Sequence, residues 1–75
     1  MELSDRLSAI EEAQDLLREA KLLIETATTG TESTLTVESY ITPRLMTMID
    51  STHRYADRSI NLDDVIDELK EEYPE

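Results

Sequence analysis

The chain has no cysteine, no phenylalanine and no tryptophan among its 75 residues. The absence of cysteine excludes disulfide bonds and thiolate metal sites, which are common supports for chains of this size. Chains below roughly 70–80 residues rarely bury enough apolar surface to be comfortably stable on their own. The composition therefore predicts that a partner chain, most simply a second copy, supplies the missing support.

Long apolar runs are also absent, and none approaches the roughly 20 residues that a membrane-spanning helix requires. The first residues carry acids where a signal peptide has a basic segment, and no continuous apolar segment follows them. Because cysteine is absent as well, we expect a soluble, cytoplasmic protein that has no membrane partner.

Basic residues are scarce, with seven Lys and Arg against eighteen Asp and Glu, so the net charge is −11. The surplus is uneven, because segments 1–39 and 60–75 each carry −6, whereas segment 40–59 has three bases and two acids. Such a field repels nucleic-acid phosphates, so we expect no direct nucleic-acid binding. The simplest explanation of the high negative charge is that it keeps the protein soluble. The functional alternative is that it attracts a basic protein partner.

Segment 3–27 has the pattern of an amphipathic helix. Apolar residues recur at alternating steps of three and four, namely Leu3, Leu7, Ile10, Ala13, Leu17, Ala20, Ile24 and Ala27, widened by Leu16 and Leu23. On the polar side, Asp15–Arg18 and Lys21–Glu25 have the spacing of helical ion pairs.

A loop is predicted over residues 28–36, where Gly30 and a run of hydroxyl side chains disfavour helix. A second helix follows and extends to about residue 58. It has two alternative starts, at Val37 with a kink or at Pro43, which suits the first helical position.

A third helix is predicted over about residues 62–73. Asn61 is a favourable N-cap, Ile60 and Val65 have the spacing of a hydrophobic staple, and Pro74 follows the helix end.

These elements predict an all-α fold in one domain, residues 1–75. The first two helices form an antiparallel hairpin, and the third packs over one end of it or reaches a neighbour. The apolar stripes are broader than one hairpin buries, so we expect a homodimer with a four-helix-type bundle. Leu17, Ile24, Leu45 and Ile49 are expected at its centre, and Leu17→Ala would cost about 2–5 kcal/mol if Leu17 is fully buried.

His53 is the first candidate for chemistry, because Asp50 and Asp57 lie three residues before and four after it on one helical face. One imidazole beside two carboxylates is a weak motif for a metal or a general base. A surface histidine between two acids is the simpler interpretation, so we expect no metal and no cofactor.

A basic edge on the second helix is the next candidate. Its residues are Arg44, Arg54 and Arg58, beside Tyr55. Such an edge can bind a carboxylate or phosphate group, although pairing with the chain's own acids is the simpler interpretation. Of the two internal methionines, Met48 is expected to pack and Met46 to lie at an exposed edge.

The third helix carries a dense set of acids. They are Asp63, Asp64, Asp67, Glu68, Glu71 and Glu72. Acid pairs at helical spacing can hold Mg²⁺, which leaves a metal-dependent hydrolase as an alternative. However, the acids are predicted on the solvent side of the helix and no nucleophile motif accompanies them, so we expect no catalysis.

We therefore predict a non-catalytic adaptor or regulator that acts by binding another protein. The predicted partner-binding residues are Arg44, Met46, Arg54, Tyr55 and Arg58 on the second helix and Asp64, Asp67, Glu68 and Glu71 on the third. The main alternative is an acidic neutraliser of a basic protein, either a DNA mimic or an antitoxin-like inhibitor.

Overall fold

The computed structural model describes residues 1–53 and 60–73, and every regular element in these ranges is helical. The elements are α1 (Leu3–Thr28), α2 (Thr34–Thr36), a π-helical segment (Val37–Ile41), α3 (Thr42–Ile49), a 3-10 turn (Ser51–His53) and α4 (Leu62–Glu72). The all-α prediction is confirmed. Among the described helices, none is both long enough and apolar enough to cross a membrane.

Helix α1 covers the predicted segment and ends one residue later, at Thr28. Gly30 follows with a φ of 75°, a left-handed conformation that glycine adopts at little cost because it has no Cβ. Beyond this turn, the hydroxyl group of Thr34 donates to the carbonyl of Thr28 and fastens the start of the next helical run to the end of α1.

Two ion pairs along α1 have the partners that their spacing predicts. The guanidinium of Arg18 lies 2.9 Å from the carboxylate of Asp15, and the ammonium of Lys21 lies 3.0 Å from the carboxylate of Glu25. Pairs of this kind on a helix surface contribute little to stability, because solvent screens them. They support α1 locally without fixing how it packs.

Residues 34–49 form one helical run, called here the second arm, which joins α2, the π segment and α3. The run begins before either predicted start, so the predicted 28–36 loop is too long. It also ends at Ile49 and not near residue 58, because Asp50 is extended (φ −153°, ψ −179°). Residues 54–58 of the predicted helix lie outside the described part of the chain.

The π segment explains how Pro43 fits inside the second arm. Proline has no backbone N–H, and in an α-helix its ring collides with the carbonyl four residues earlier. Here the turn before it is wider, because the N–H of Thr42 donates to the carbonyl of Val37, five residues back. The extra residue also shifts the helical phase, so Val37 is buried whereas Ile41 is exposed.

The second arm packs antiparallel along the C-terminal half of α1. The hydroxyl of Thr42 lies 3.4 Å from a carboxylate oxygen of Glu25. Farther along, the side-chain amide of Gln14 donates to the carbonyl of Ile49 at 2.7 Å. From the first contact to the second, the residue number decreases on α1 and increases on the second arm. The two helices are therefore antiparallel.

Helix α4 packs antiparallel along the N-terminal half of α1, in line with the second arm. Near its start, Asp63 accepts a hydrogen bond from Gln14 at 2.8 Å. Past its end, the guanidinium of Arg6 lies 5.1 Å from the centre of the Tyr73 ring. The long helix α1 therefore carries two shorter partners end to end, and Gln14 lies where they meet.

The start of α4 has the predicted N-cap but not the predicted staple. The Asn61 side chain accepts from the N–H of Asp64, and the Asp64 carboxylate accepts from the N–H of Asn61, which completes a capping box. Ile60 is 78% exposed and makes no staple with Val65, so that prediction is wrong.

The core is thin because one helix faces only a single layer of partners. Among the described residues, Val37 and Ile49 are the buried apolar side chains. Leu17 and Leu45 are half-buried and Ile24 is exposed, so the central place predicted for Ile24 is wrong for the single chain. The full burial on which the predicted cost of Leu17→Ala depends is likewise not met in the single chain.

Candidate functional site

One side of the structure exposes apolar side chains from both α1 and the second arm, and we call it the open face. By helical spacing, its members are Leu16, Ala20, Leu23 and Ile24 on α1, with Ile41, Leu45 and Met48 on the second arm; Ala20 and Leu45 are half-buried and the others exposed. The larger members are well exposed, at 56% for Leu16, 64% for Leu23 and 48% for Met48. Scattered apolar side chains are normal on a surface, but a contiguous apolar patch marks an interaction site.

Helical geometry explains why α1 has a second apolar stripe beside the packed one. The half-buried residues Leu17, Lys21 and Thr28 share one side of α1 by their spacing, and this side faces the second arm, since Lys21 lies beside Met46 and Thr28 beside Val37. The stripe of Leu16, Ala20, Leu23 and Ala27 keeps the same three-and-four spacing, displaced by one residue. One residue corresponds to a rotation of about 100° around the helix. This second stripe therefore points to a side of α1 that no described element covers.

The opposite side of the hairpin holds a groove of about 250 Å³ between the arms. Leu22 and Met46 line it together with Arg18, and Met46 is half-buried there. Met46 thus packs and Met48 is exposed, the reverse of the prediction. The expected packing of Met48 assumed a helix that continues to about residue 58, but the helix ends at Ile49, which is itself the buried residue of this segment.

The open face has charged edges of opposite sign. On α1, Glu12 and Glu19 lie seven residues apart beside Leu16 and Leu23, on the side away from the second arm, and we call them the acidic edge. The second arm presents exposed Arg44 one turn before Met48. Within residues 1–53 and 60–73, none of these three charged groups has an ion-pair partner. Arg54, Tyr55 and Arg58 lie outside the described residues.

A polar junction joins α1 to the end of the second arm and to the start of α4. Gln14, only 6% exposed, uses both hydrogens of its side-chain amide, one on the Ile49 carbonyl and one on the Asp63 carboxylate. The second oxygen of Asp63 accepts from the N–H of Ser51 at 2.9 Å. Sequence reasoning missed this role of Gln14, because a single glutamine beside an apolar stripe gives no signal of burial.

Asp50 strengthens the same junction from the end of the second arm. One of its carboxylate oxygens accepts from the guanidinium of Arg18 at 2.9 Å, and the other accepts from the N–H of Thr52 at 2.9 Å. The hydrogen bond from Arg18 is the main reason why the pKa of Asp50 is lowered. Asp50 was predicted to form a row with His53 and Asp57, but Asp57 and the His53 side chain lie outside the described residues.

The acids of α4 fall into two groups. Asp63 and Asp64 are half-buried and bonded to the junction and the capping box, so their predicted place on the solvent side is wrong. Asp67, Glu68 and Glu71 are exposed, as expected. Across the described part of the chain, no three His, Cys, Asp or Glu side chains are grouped so that they could hold a metal ion.

Asn61 leaves one buried polar atom unmatched. The residue is 3% exposed, and its Oδ1 accepts the capping hydrogen bond from Asp64. This fixes the amide orientation, and Nδ2 then has no acceptor among the described residues. A buried unpaired donor costs about 1–3 kcal/mol, which reduces the net benefit of the cap.

The acid dependence of stability follows from the bonds to Asp63. Gln14, with a smaller contribution from the N–H of Ser51, holds the pKa of this carboxyl below its ordinary value of 3.8. A lowered pKa in the folded state contributes stability at neutral pH, and this contribution is lost as the pH falls through the folded-state pKa.

Asp63→Asn is therefore expected to lower the free energy of unfolding at pH 6–7, and the difference from the wild type should shrink below about pH 4. Urea unfolding from pH 3 to 7 measures this difference. Asp67→Asn is the control, because it removes one exposed carboxylate of the same helix with the same change in charge. A deficit of Asp63→Asn that is constant over the whole range contradicts the assignment.

No protein-family model, curated protein or solved structure matches the chain. The function is therefore inferred from the surfaces described above.

Proposed function

We propose that the protein is a non-catalytic adaptor or regulator that acts through protein–protein contacts, with its open face closed by a second copy. The observation that carries this proposal is the uncovered apolar surface formed jointly by α1 and the second arm. A side of the chain with Leu16, Leu23 and Met48 about half exposed or more is poorly suited to contact with water.

The accessible area supports a missing partner. The chain exposes 5680 Å². A compact monomer of this mass exposes about 4,700 Å², so the excess is about 1,000 Å². A standard protein interface buries about 800 Å² on each partner. The excess is therefore of the size that one ordinary interface removes.

A second copy is the occupant that suits the shape of the open face. The chain spans 50 × 25 × 14 Å, which is a thin two-helix layer. Two such layers stacked on their open faces make the four-helix-type bundle expected from the sequence, with a shared core in place of two exposed stripes. In this arrangement Ile24 and Leu45 move into the core, where the sequence pattern predicts them.

The outer surface of this dimer remains available for another protein. Asp67, Glu68 and Glu71 are exposed on α4 and add to a chain with a net charge of −11. A surface of this sign attracts basic partners and repels nucleic acid. We therefore propose a basic protein as the target, bound through α4 and not through the open face.

The mass in solution tests the dimer directly. Light scattering over a dilution series, in low and in high salt, is expected to give twice the chain mass at micromolar concentration. Because apolar burial drives the contact, moderate salt should not dissociate it. A chain that stays monomeric at all concentrations contradicts closure by a second copy.

A further inference from the structure

We infer that the two copies stack with the dyad parallel to their helices, so that the acidic edge of each copy meets Arg44 of the other. This inference rests on the proposed dimer and specifies its geometry and its charged contact. The evidence is the asymmetry of the open face, whose two edges carry opposite charges that have no partner within the described chain.

The two edges lie on opposite sides of the same apolar surface. Glu12 and Glu19 follow α1 beside Leu16 and Leu23, away from the second arm. Arg44 precedes Met48 by one helical turn and lies away from α1, since Ile49 and Thr42 face α1. Across the open face, the acidic edge therefore comes first, followed by the apolar stripe of α1, the apolar residues of the second arm and finally Arg44.

Two face-to-face stackings with two-fold symmetry are available to such a layer. With the dyad parallel to the helices, α1 lies over the partner's second arm, and each acidic edge meets a basic edge. With the dyad across the helices, α1 lies over the partner's α1. In that stacking the two acidic edges face each other, and Arg44 faces the partner's Arg44. Charge complementarity selects the parallel dyad.

The register of the hairpin identifies the acid that Arg44 meets. Thr42 lies level with Glu25, and Ile49 lies level with Gln14. Arg44 is therefore level with about residue 22 of α1. A dyad parallel to the helices preserves this level, so the nearest acid on the partner's edge is Glu19. The axial offset is about three residues, or roughly 4.5 Å, which a long arginine side chain can span.

Small side chains on α1 support close stacking at this position. Ala20 lies on the open face between Leu16 and Leu23, and Ala27 continues the stripe. Interaxial distances between packed helices range over about 8–10 Å according to the side chains at the contact. Alanine at alternate contact positions favours the short end of this range, which brings the charged edges nearer to each other.

A charge-swap experiment tests the contact. The dissociation constant of the dimer is measured by sedimentation for the wild type, Arg44→Glu, Glu19→Arg and the double variant. Arg44→Glu is expected to weaken the dimer about 5–20-fold. The modest attraction between residue 44 and the partner's Glu19 becomes a repulsion, and symmetry places this change in the dimer twice. The double variant should return to within about 3-fold of the wild type, with a clear positive coupling.

A matched control separates the contact from the net charge. Glu32 is exposed in the turn that follows α1, so Arg44→Glu combined with Glu32→Arg has the net charge of the swap without its geometry. This variant should recover much less affinity than the double swap. Equal recovery by both would overturn the pairing of Arg44 with the partner's Glu19.

The remaining outcomes distinguish a failure of the ion pair, of the stacking and of the dimer itself. Under the crosswise dyad, both copies carry each substitution, so Arg44→Glu only exchanges one pair of like charges for another. Neither single variant then weakens the dimer and the double variant shows no coupling, which overturns the inferred stacking while the dimer stands. Purely additive effects in a stable dimer overturn the ion pair in the same way. A monomeric wild type overturns the proposed dimer and this inference together.

Discussion

Replacing Leu23 by glutamate is expected to convert the dimer into a monomer and to leave the chain folded. Leu23 is 64% exposed in the single chain, so the substitution removes little packing within it. In the proposed dimer the side chain lies against the partner's second arm, and symmetry places the change there twice. Losing two apolar contacts and bringing two carboxylates into an apolar interface should weaken association by at least about 100-fold.

The adjacent residue provides a close control for this prediction. Leu22 is 60% exposed and has the same side chain, but it lines the groove on the opposite side with Met46. Leu22→Glu makes the same chemical change one residue away and should leave the dimer mass unchanged. Light scattering gives the mass and circular dichroism gives the helix content. Dissociation by both variants, or by neither, would show that the open face is not the interface.

Replacing Gln14 by methionine is expected to lower the free energy of unfolding by about 2–4 kcal/mol. Methionine keeps the length and volume of the side chain, so packing is largely retained. Both hydrogen bonds are lost, which removes the side-chain donor from the carbonyl of Ile49 and from one oxygen of the Asp63 carboxylate, whose other oxygen keeps the N–H of Ser51. A buried acceptor without a partner costs about 1–3 kcal/mol, and a hydrogen bond to a charged group is worth about 1.5–3 kcal/mol.

Urea unfolding at one fixed protein concentration measures this loss, because association contributes to the stability of a dimer. Glu11→Met is the control, since Glu11 is exposed on the same helix and its replacement should change stability by less than about 0.5 kcal/mol. Gln14→Met should also reduce the loss of stability in acid, because Asp63 loses its main donor. Unfolding free energies that agree for the two variants would contradict the central place of the Gln14 amide.

The sequence predicts those features of the fold that depend on local chemistry. The apolar periodicity of α1, the Asn61 cap, and the ion pairs of Arg18 with Asp15 and Lys21 with Glu25 all follow from residues within one or two helical turns. Such interactions are decided by spacing along one helix. For this reason they can be predicted without knowledge of the packing.

Features that depend on where the second arm ends could not be predicted. No glycine or proline occurs between Ile49 and Pro74, so the sequence does not mark a helix end at Ile49. Because the helix ends at Ile49, the carbonyl of Ile49 is available to accept the hydrogen bond from Gln14. The same helix end determines which face packs on α1, so that Met46 lies in the groove and Met48 is exposed. The π segment could not be predicted either, because Pro43 indicates a break in the helix and not a wider turn.

The candidate site divides in the same way. Arg44 and the exposed acids of α4 were predicted from charge alone, and the structure places them at the surface. The open face depends on which of two adjacent stripes on α1 the second arm covers. A stripe displaced by one residue has the same periodicity, so hydropathy cannot decide between the two.

The end-to-end placement of two helices on α1 also sets an order of folding. The second arm meets α1 across a short turn, since Thr34 comes only six positions after Thr28, whereas Asp63 comes 49 positions after Gln14. Closing the longer loop costs about 2 kcal/mol more in chain entropy. The turn around Gly30 is therefore expected to nucleate the hairpin, and α4 is expected to dock last, onto a surface that is already formed. By the same reasoning in reverse, α4, with its exposed acids, is expected to be the first part of the protein to detach and return while the rest stays folded.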